Sequence, residues 1–160
     1  MAKLTVDGCS RGNPRMATSG SILQDHRDVV LVAFGSFLGY KPILYAKLMA
    51  VCERLELAIQ LGYSVLEVES DSTTVVSWIH TQGPVRCEYS YSLHQVCRLV
   101  TSFPIQVRHV LCEATSVADF LANWACTHRT SRHFLSPREL PKGLSGILYL
   151  DAHTIPHVRR

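Results

Sequence analysis

Apolar and polar residues alternate along the first third of the chain and then change to a helical period. From Lys3 to Asp7 the alternation sets Leu4 and Val6 on one side, and the run ends at the turn-rich Gly8-Cys9-Ser10-Arg11-Gly12-Asn13-Pro14. Ser21 to Asp25 and Val29 to Leu38 read as two more strands joined by the polar turn Asp25-His26-Arg27-Asp28. The opening therefore predicts a three-stranded antiparallel meander. From Leu44 to Leu61 the period lengthens: Leu48, Val51, Leu55 and Ala58 make one apolar stripe, with Gly62 placed as the carboxyl-terminal cap.

Ser64 to Glu69 is a short β-rich run, and Ser70-Asp71-Ser72 closes it while offering an N-cap to a helix through Thr81. Gly83-Pro84 breaks the chain, Tyr89 to Ser102 reads as helical, and Ile105 to Leu111 alternates as a fifth strand. Thr115 or Ser116 caps a last helix through Asp119, Leu121 and Trp124. The order β-β-β-α-β-α-α-β-α predicts an α/β domain with a mixed five-stranded sheet, three antiparallel strands and then parallel ones, with helices on both faces. We assign residues 1–127 to this domain. Residues 128–160 form a basic, Pro-punctuated extension in which Leu140, Leu144, Ile147 and Leu150 predict a short helical segment packing on the same domain.

Composition narrows the classes. The chain has 160 residues, 47% hydrophobic and 18% charged, as expected of one globular domain without low-complexity tracts or internal repeats. No apolar run approaches the roughly 20 residues that span a bilayer, and the amino terminus lacks a charged-then-apolar leader pattern. These features lead us to expect a soluble monomer of the cytoplasm or nucleus, without membrane partners. Six cysteines without a C-x-x-C pair sit mostly in apolar segments, which predicts buried reduced thiols, with Cys9 and Cys87 on loops as exceptions. The net charge of +3 is uneven: residues from 128 onward carry +4 and residues 1–127 carry −1. A phosphate-binding surface calls for a clearer basic face, so the tail points only weakly to nucleic acid and reads first as solvated.

The candidate chemistry is acidic. Asp7 ends the first strand, Asp71 follows the fourth, and Asp119 starts the last helix. In an α/β sheet these ends are where ligands gather. Three converging carboxylates repel one another unless a cation neutralises them, and hard oxygen ligands suit Mg²⁺ or Mn²⁺. Taken singly, each is an ordinary strand-end or capping aspartate. Among the histidines, His109 alternates with Val107 and reads as a strand residue. Trp78 and Trp124 read as core or interface side chains.

Four ordered segments, Asp7 to Pro14, Leu44 to Ala50, Glu69 to Ser72 and Glu113 to Asp119, resemble the successive motifs of the ribonuclease H superfamily. The match is closest to plant RNase H-like domains related to non-LTR retrotransposon reverse transcriptases, and it runs over nearly the whole chain. The resemblance implies an RNase H-like fold and a D-E-D-D carboxylate tetrad that binds two Mg²⁺ ions and cuts the RNA strand of an RNA–DNA hybrid. Asp7, Asp71 and Asp119 inherit three catalytic and metal-binding positions. The family's glutamate, which would bind a metal and help recognise the ribose 2′-OH, falls on Lys47. The loop Ser10, Arg11, Gly12 and Asn13 falls where the family meets the nucleic-acid backbone.

Lys47 removes a ligand and places a positive charge where a divalent ion would bind, so the resemblance implies the family's hydrolysis in an impaired form. Glu69, two residues before Asp71, and Glu113, on the loop before Asp119, are the available substitutes for the missing carboxylate. The alternative is an inactive RNase H-like pseudoenzyme that serves as a protein-interaction module. Expected ligands are an RNA–DNA hybrid or RNA, with Mg²⁺ or Mn²⁺ if the site is active and no cofactor otherwise.

Overall fold

The computed structural model describes residues 1–11, 15–63, 66–135 and 137–144. Its elements in order are β1 (Ala2–Arg11), β2 (Met16–Gln24), β3 (Val30–Tyr40), α1 (Ile43–Gln60), β4 (Leu66–Ser70), α2 (Thr73–Thr81), α3 (Cys87–Ser102), β5 (Ile105–His109), α4 (Ser116–His128) and β6 (Arg132–Phe134). The strands form one mixed sheet ordered β5-β4-β1-β2-β3-β6. β1, β2 and β3 pair antiparallel, as their alternation predicts, while β4 and β5 run parallel to β1 through helical crossovers.

Three elements differ most from the reading of the sequence, β2 among them, because it begins at Met16 and not at Ser21. β1 continues past Asp7 to Arg11, because Gly8, Cys9, Ser10 and Arg11 pair with Ser19, Thr18, Ala17 and Met16. Small and polar residues in that run resemble a turn but make regular ladder bonds. The sheet also has six strands instead of five. β6 pairs antiparallel with β3 through Ala33↔Phe134, Phe34↔His133 and Gly35↔Arg132, a strand that precedes the stretch from Leu140 expected to be helical, of which residues 142–144 are helical. A 3-10 turn follows at Pro137–Glu139, and Leu144 is fully buried. Ile147 and Leu150 lie outside the described residues.

Helices cover both faces. On one, α1, α2 and α3 bury Leu48, Val51, Leu55, Val75, Ile79 and Val96 against Leu4, Val6, Phe34, Leu66 and Val68. On the other, α4 buries Val117 and Leu121 with Ile22, Ala33, Phe134 and Leu144. Full burial of each large aliphatic or aromatic side chain contributes roughly 1.5–3 kcal/mol, so both layers hold the sheet that carries the acidic residues. Capping agrees with the sequence where glycine and serine direct it. Gly62, at φ 96°, follows α1, and Ser72 accepts the Val75 amide at the start of α2.

The cysteine expectation is corrected. Only Cys52 is fully buried; Cys87 and Cys112 are exposed, and Cys9, Cys97 and Cys126 are half-buried. Cys9 lies on β1 and Cys87 opens α3, so neither is on a loop. At Cys97 and Cys126 the neighbours Val96 and Ala125 face the core and the thiols take the flanking positions, whereas Leu111 beside Cys112 is itself exposed. Among the described residues no helix is long and apolar enough to cross a membrane.

Candidate functional site

Two glycines bring helices from opposite faces down onto the strands around Asp7. A Cβ on Gly8 would lie 2.4 Å from the Lys47 amide nitrogen and the Ala46 carbonyl carbon, so only glycine lets the first turns of α1 rest on β1. A Cβ on Gly20, the β2 partner of Asp7, would lie 1.9 Å from the Ala118 carbonyl oxygen and 2.5 Å from the Ala122 amide. That second contact seats α4 with Asp119 in its first turn. β4 stops at Ser70, paired with Val6, and Asp71 follows directly.

Lys47 reaches into this corner. Its Nζ donates to Asp71 Oδ1 at 2.7 Å and to Asp7 Oδ1 at 3.2 Å. The three side chains are largely enclosed: Lys47 is 17% exposed, and Asp7 and Asp71 are each 8%. Lys47 therefore does not swing out to solvent on its long stem. Burial favours its neutral form, but hydrogen bonds and charge from Asp71 and Asp7 outweigh this and hold its pKa above the ordinary lysine value. Burial also acts on Asp7. Together with the nearby charge of Asp71 it raises the carboxyl to about 7, against the opposing pull of Lys47.

Asp119 is within electrostatic reach of Asp7 and is held by its own helix, where Asn123 Nδ2 donates to its Oδ2 at 3.2 Å. The structure thus gathers Asp7, Asp71, Asp119 and Lys47 into one corner, as the sequence motifs anticipate. It gives neither substitute carboxylate to that corner. Glu69 is 1% exposed and bound by Arg108 at 2.6 Å, and Glu113 is exposed on the 3-10 turn Cys112–Thr115. Arg108 also holds Glu67 at 2.6 Å, which fixes it as a clamp across β4 and β5.

Three neighbours were not read from the sequence. Asn123 sits one helical turn after Asp119, a spacing that signals contact only once the helix is known. Cys112 lies beside Asp71, whose charge raises the thiol's pKa. His109, at the end of β5, makes a 3.2 Å contact from Nε2 to the Asp71 carbonyl oxygen. At the end of β1, the Ser10 hydroxyl donates to the Lys41 carbonyl at 3.0 Å, and Arg11 is exposed. Gly12 and Asn13 lie outside the described residues.

As they stand, the donors do not fit a divalent ion. The ammonium of Lys47 occupies the space between Asp7 and Asp71, and among the described residues no group of three or more His, Cys, Asp or Glu side chains is arranged to hold a metal. What the arrangement offers is an internal cation that neutralises two carboxylates in place of an external one.

The reverse transcriptase-like family model matches residues 5–125. A ribonuclease H-designated protein of Arabidopsis thaliana is 30% identical over 151 residues, which are 93% of this chain and 24% of the relative. The chain thus spans about a quarter of that relative. Among solved structures, RNase H1 of the archaeon Halobacterium salinarum superposes with a TM-score of 0.73 at 26% identity, covering 79% of this chain and 98% of the other. The N-terminal RNase H domain of a Mycobacterium tuberculosis protein gives 0.70 at 26% identity, covering 76% and 95%. LC11-RNase H1, solved in complex with an RNA/DNA hybrid, has the same fold, with a TM-score of 0.73 at 20% identity over 81% and 99%. The chain belongs to the reverse transcriptase-like family and is an RNase H-like domain.

Proposed function

We propose that this chain is a nucleic-acid-binding RNase H-type domain that engages RNA–DNA hybrids and whose hydrolytic chemistry is impaired by Lys47. The observation that carries the proposal is the pair of bonds from Lys47 to Asp71 and Asp7, at 2.7 and 3.2 Å. In the family's reaction, carboxylates at the positions of Asp7, Asp71 and Asp119 would hold divalent ions that activate water and stabilise the leaving oxygen. Here the cation is covalently part of the chain. It can neutralise charge but supplies no water of lowered pKa, so no hydrolytic step is assigned to it.

Binding places fewer demands on the site than catalysis. Its electrostatic part needs cations that meet phosphates, and its shape part needs the sheet corner and the loop before β2. Exposed Arg11, Arg15 and Lys41 stand at the carboxylate end of the sheet, while Asp25 and Asp28 occupy the hairpin at the opposite end. Ser10, Arg11, Gly12 and Asn13 supply the backbone contacts in this reading. Lys47 itself lowers the repulsion that a phosphate would meet at the bare aspartates.

The test is anisotropy of a fluorescently labelled RNA–DNA hybrid titrated with the chain, in EDTA and in Mg²⁺. The expected result is salt-dependent binding in EDTA that Mg²⁺ does not strengthen. Binding that requires Mg²⁺ would show a working metal site and overturn the role given to Lys47. No binding at low salt would favour the protein-interaction reading.

A further inference from the structure

Beyond the region matched by the family model, the chain adds a turn and a strand that carry cations to the carboxylate end of the sheet. α4 begins beside Asp7 and ends at His128, and Arg129 caps it in the left-handed region at φ 48°. The turn that follows is pinned to β3, because the Ser131 hydroxyl accepts the Phe37 amide at 2.9 Å. β6 then starts at Arg132.

Strand register locates this turn relative to Lys47. Asp7 pairs with Gly20, Gly20 with Gly35, and Gly35 with Arg132. Arg132 therefore lies on the same row as Asp7, three strand spacings away, or about 14 Å. Side chains on one row of an antiparallel ladder share a face, so Arg132 and Asp7 both belong to the α4 side of the sheet.

These cations are exposed, and Arg132 and His128 are braced. The Arg132 guanidinium sits 4.9 Å from the Phe134 ring centroid, and His128 stacks on Trp124 at 4.4 Å. Among the described residues no ion pair engages Arg129 or Arg132. The nearest acid in sequence to Arg132, Glu139, accepts the Leu135 amide at 2.9 Å. Arg129 also holds a backbone conformation that glycine or asparagine adopts at lower cost, which leaves its charge as the feature gained.

We propose that the α4–β6 turn is a second contact for the nucleic-acid backbone, in which Arg129 and Arg132 hold phosphates of a hybrid whose other contacts lie at the Lys47 corner. The separation of about 14 Å corresponds to roughly four rises of 3.4 Å along a duplex, within the length of a short hybrid that passes over α4, which covers Gly20 and Gly35 between the two contacts. The proposal rests on the hybrid-binding reading above and adds to it a surface outside residues 5–125.

The test uses a fluorescently labelled hybrid of about fourteen base pairs and the full chain with Arg129→Gly, Arg132→Gln, Arg132→Lys, and Arg129→Gly with Arg132→Gln. The double variant should bind roughly tenfold more weakly at moderate salt, with the slope of log affinity against log salt reduced by about 2. Arg129→Gly relieves the left-handed backbone and should raise Tm by a few degrees while weakening binding, so misfolding cannot account for its loss. Arg132→Lys should retain most of the affinity. A double variant with the affinity and salt slope of the unmodified chain overturns this contact and leaves the hybrid-binding reading intact. Failure of the unmodified chain to bind at low salt overturns both.

Discussion

Lys47 sits where its charge has the largest local effect, between two carboxylates that are each only 8% exposed. Breaking a buried pair by removing one partner leaves an uncompensated charge, and truncation is therefore expensive. Lys47→Met should lower stability in denaturant unfolding by about 3 kcal/mol, the lower end of the range for broken buried pairs, since Lys47 retains 17% exposure. A loss below about 0.5 kcal/mol would place the ion pair among ordinary surface pairs.

Asp7 gives a second prediction at this scale. Its carboxyl is raised from 3.8 to about 7, so the folded chain takes up a proton that the unfolded chain has already lost between these values. Its contribution to stability is thus full below the unfolded pKa and lost as pH rises through about 7. Asp7→Asn should remove that decline. Thermal unfolding of the two proteins from about pH 4 to about pH 8 should show their difference shifting steadily in favour of the variant, and parallel profiles would contradict the assignment.

Among elements, α1 and α4 matter most because each touches a strand with no side chain between. Gly20→Ala would drive a methyl into the Ala118 carbonyl and the Ala122 amide, backbone atoms that no rotamer change can move. We expect a loss of about 3 kcal/mol, at the upper end of overpacking costs, read from urea unfolding. Arg54 on α1 is the opposite case. It is 5% exposed, its Nε has no hydrogen-bond partner, its ion pair with Glu53 is 3.6 Å long, and its guanidinium lies 4.9 Å from the Phe34 ring centroid. Burial lowers its pKa in spite of Glu53. Arg54→Met should be neutral or stabilising by about 1 kcal/mol, and a loss of 2 kcal/mol or more would show that the ring contact dominates.

At the same scale, what could be read from the sequence depended on the range of the signal. The α1 stripe, the Gly62 cap, the Ser72 cap, β3 and the second half of β2 carry local signals, and they were legible. The three aspartates and Lys47 were singled out by their motifs, although Asp7 lies inside β1 and Lys47 inside α1. β6 was not legible. Three residues carry no period, and the strand exists because His133 meets Phe34 edge-on at 5.1 Å while Phe134 packs on Trp124 at 5.2 Å from the other side. The Glu69 pair with Arg108 was hidden for a related reason, since it joins strands 39 residues apart. The continuation of β1 through Arg11 was masked by residues that favour turns in isolation, and its pairing with β2 overrode that preference.

For the whole molecule, the sheet brings Asp7, Asp71 and Asp119 to one end with exposed cations around them and a lysine in their midst. The most direct measurement is cleavage of a labelled RNA–DNA hybrid in Mg²⁺ and in Mn²⁺ by the unmodified chain, Asp71→Asn, Lys47→Glu, and Lys47→Glu with Asp71→Asn. The account predicts no cleavage by the unmodified chain, cleavage by Lys47→Glu, and its disappearance when Asp71 is also changed. Cleavage by the unmodified chain that Asp71→Asn alone abolishes would contradict it, because Lys47 would then coexist with a working carboxylate site.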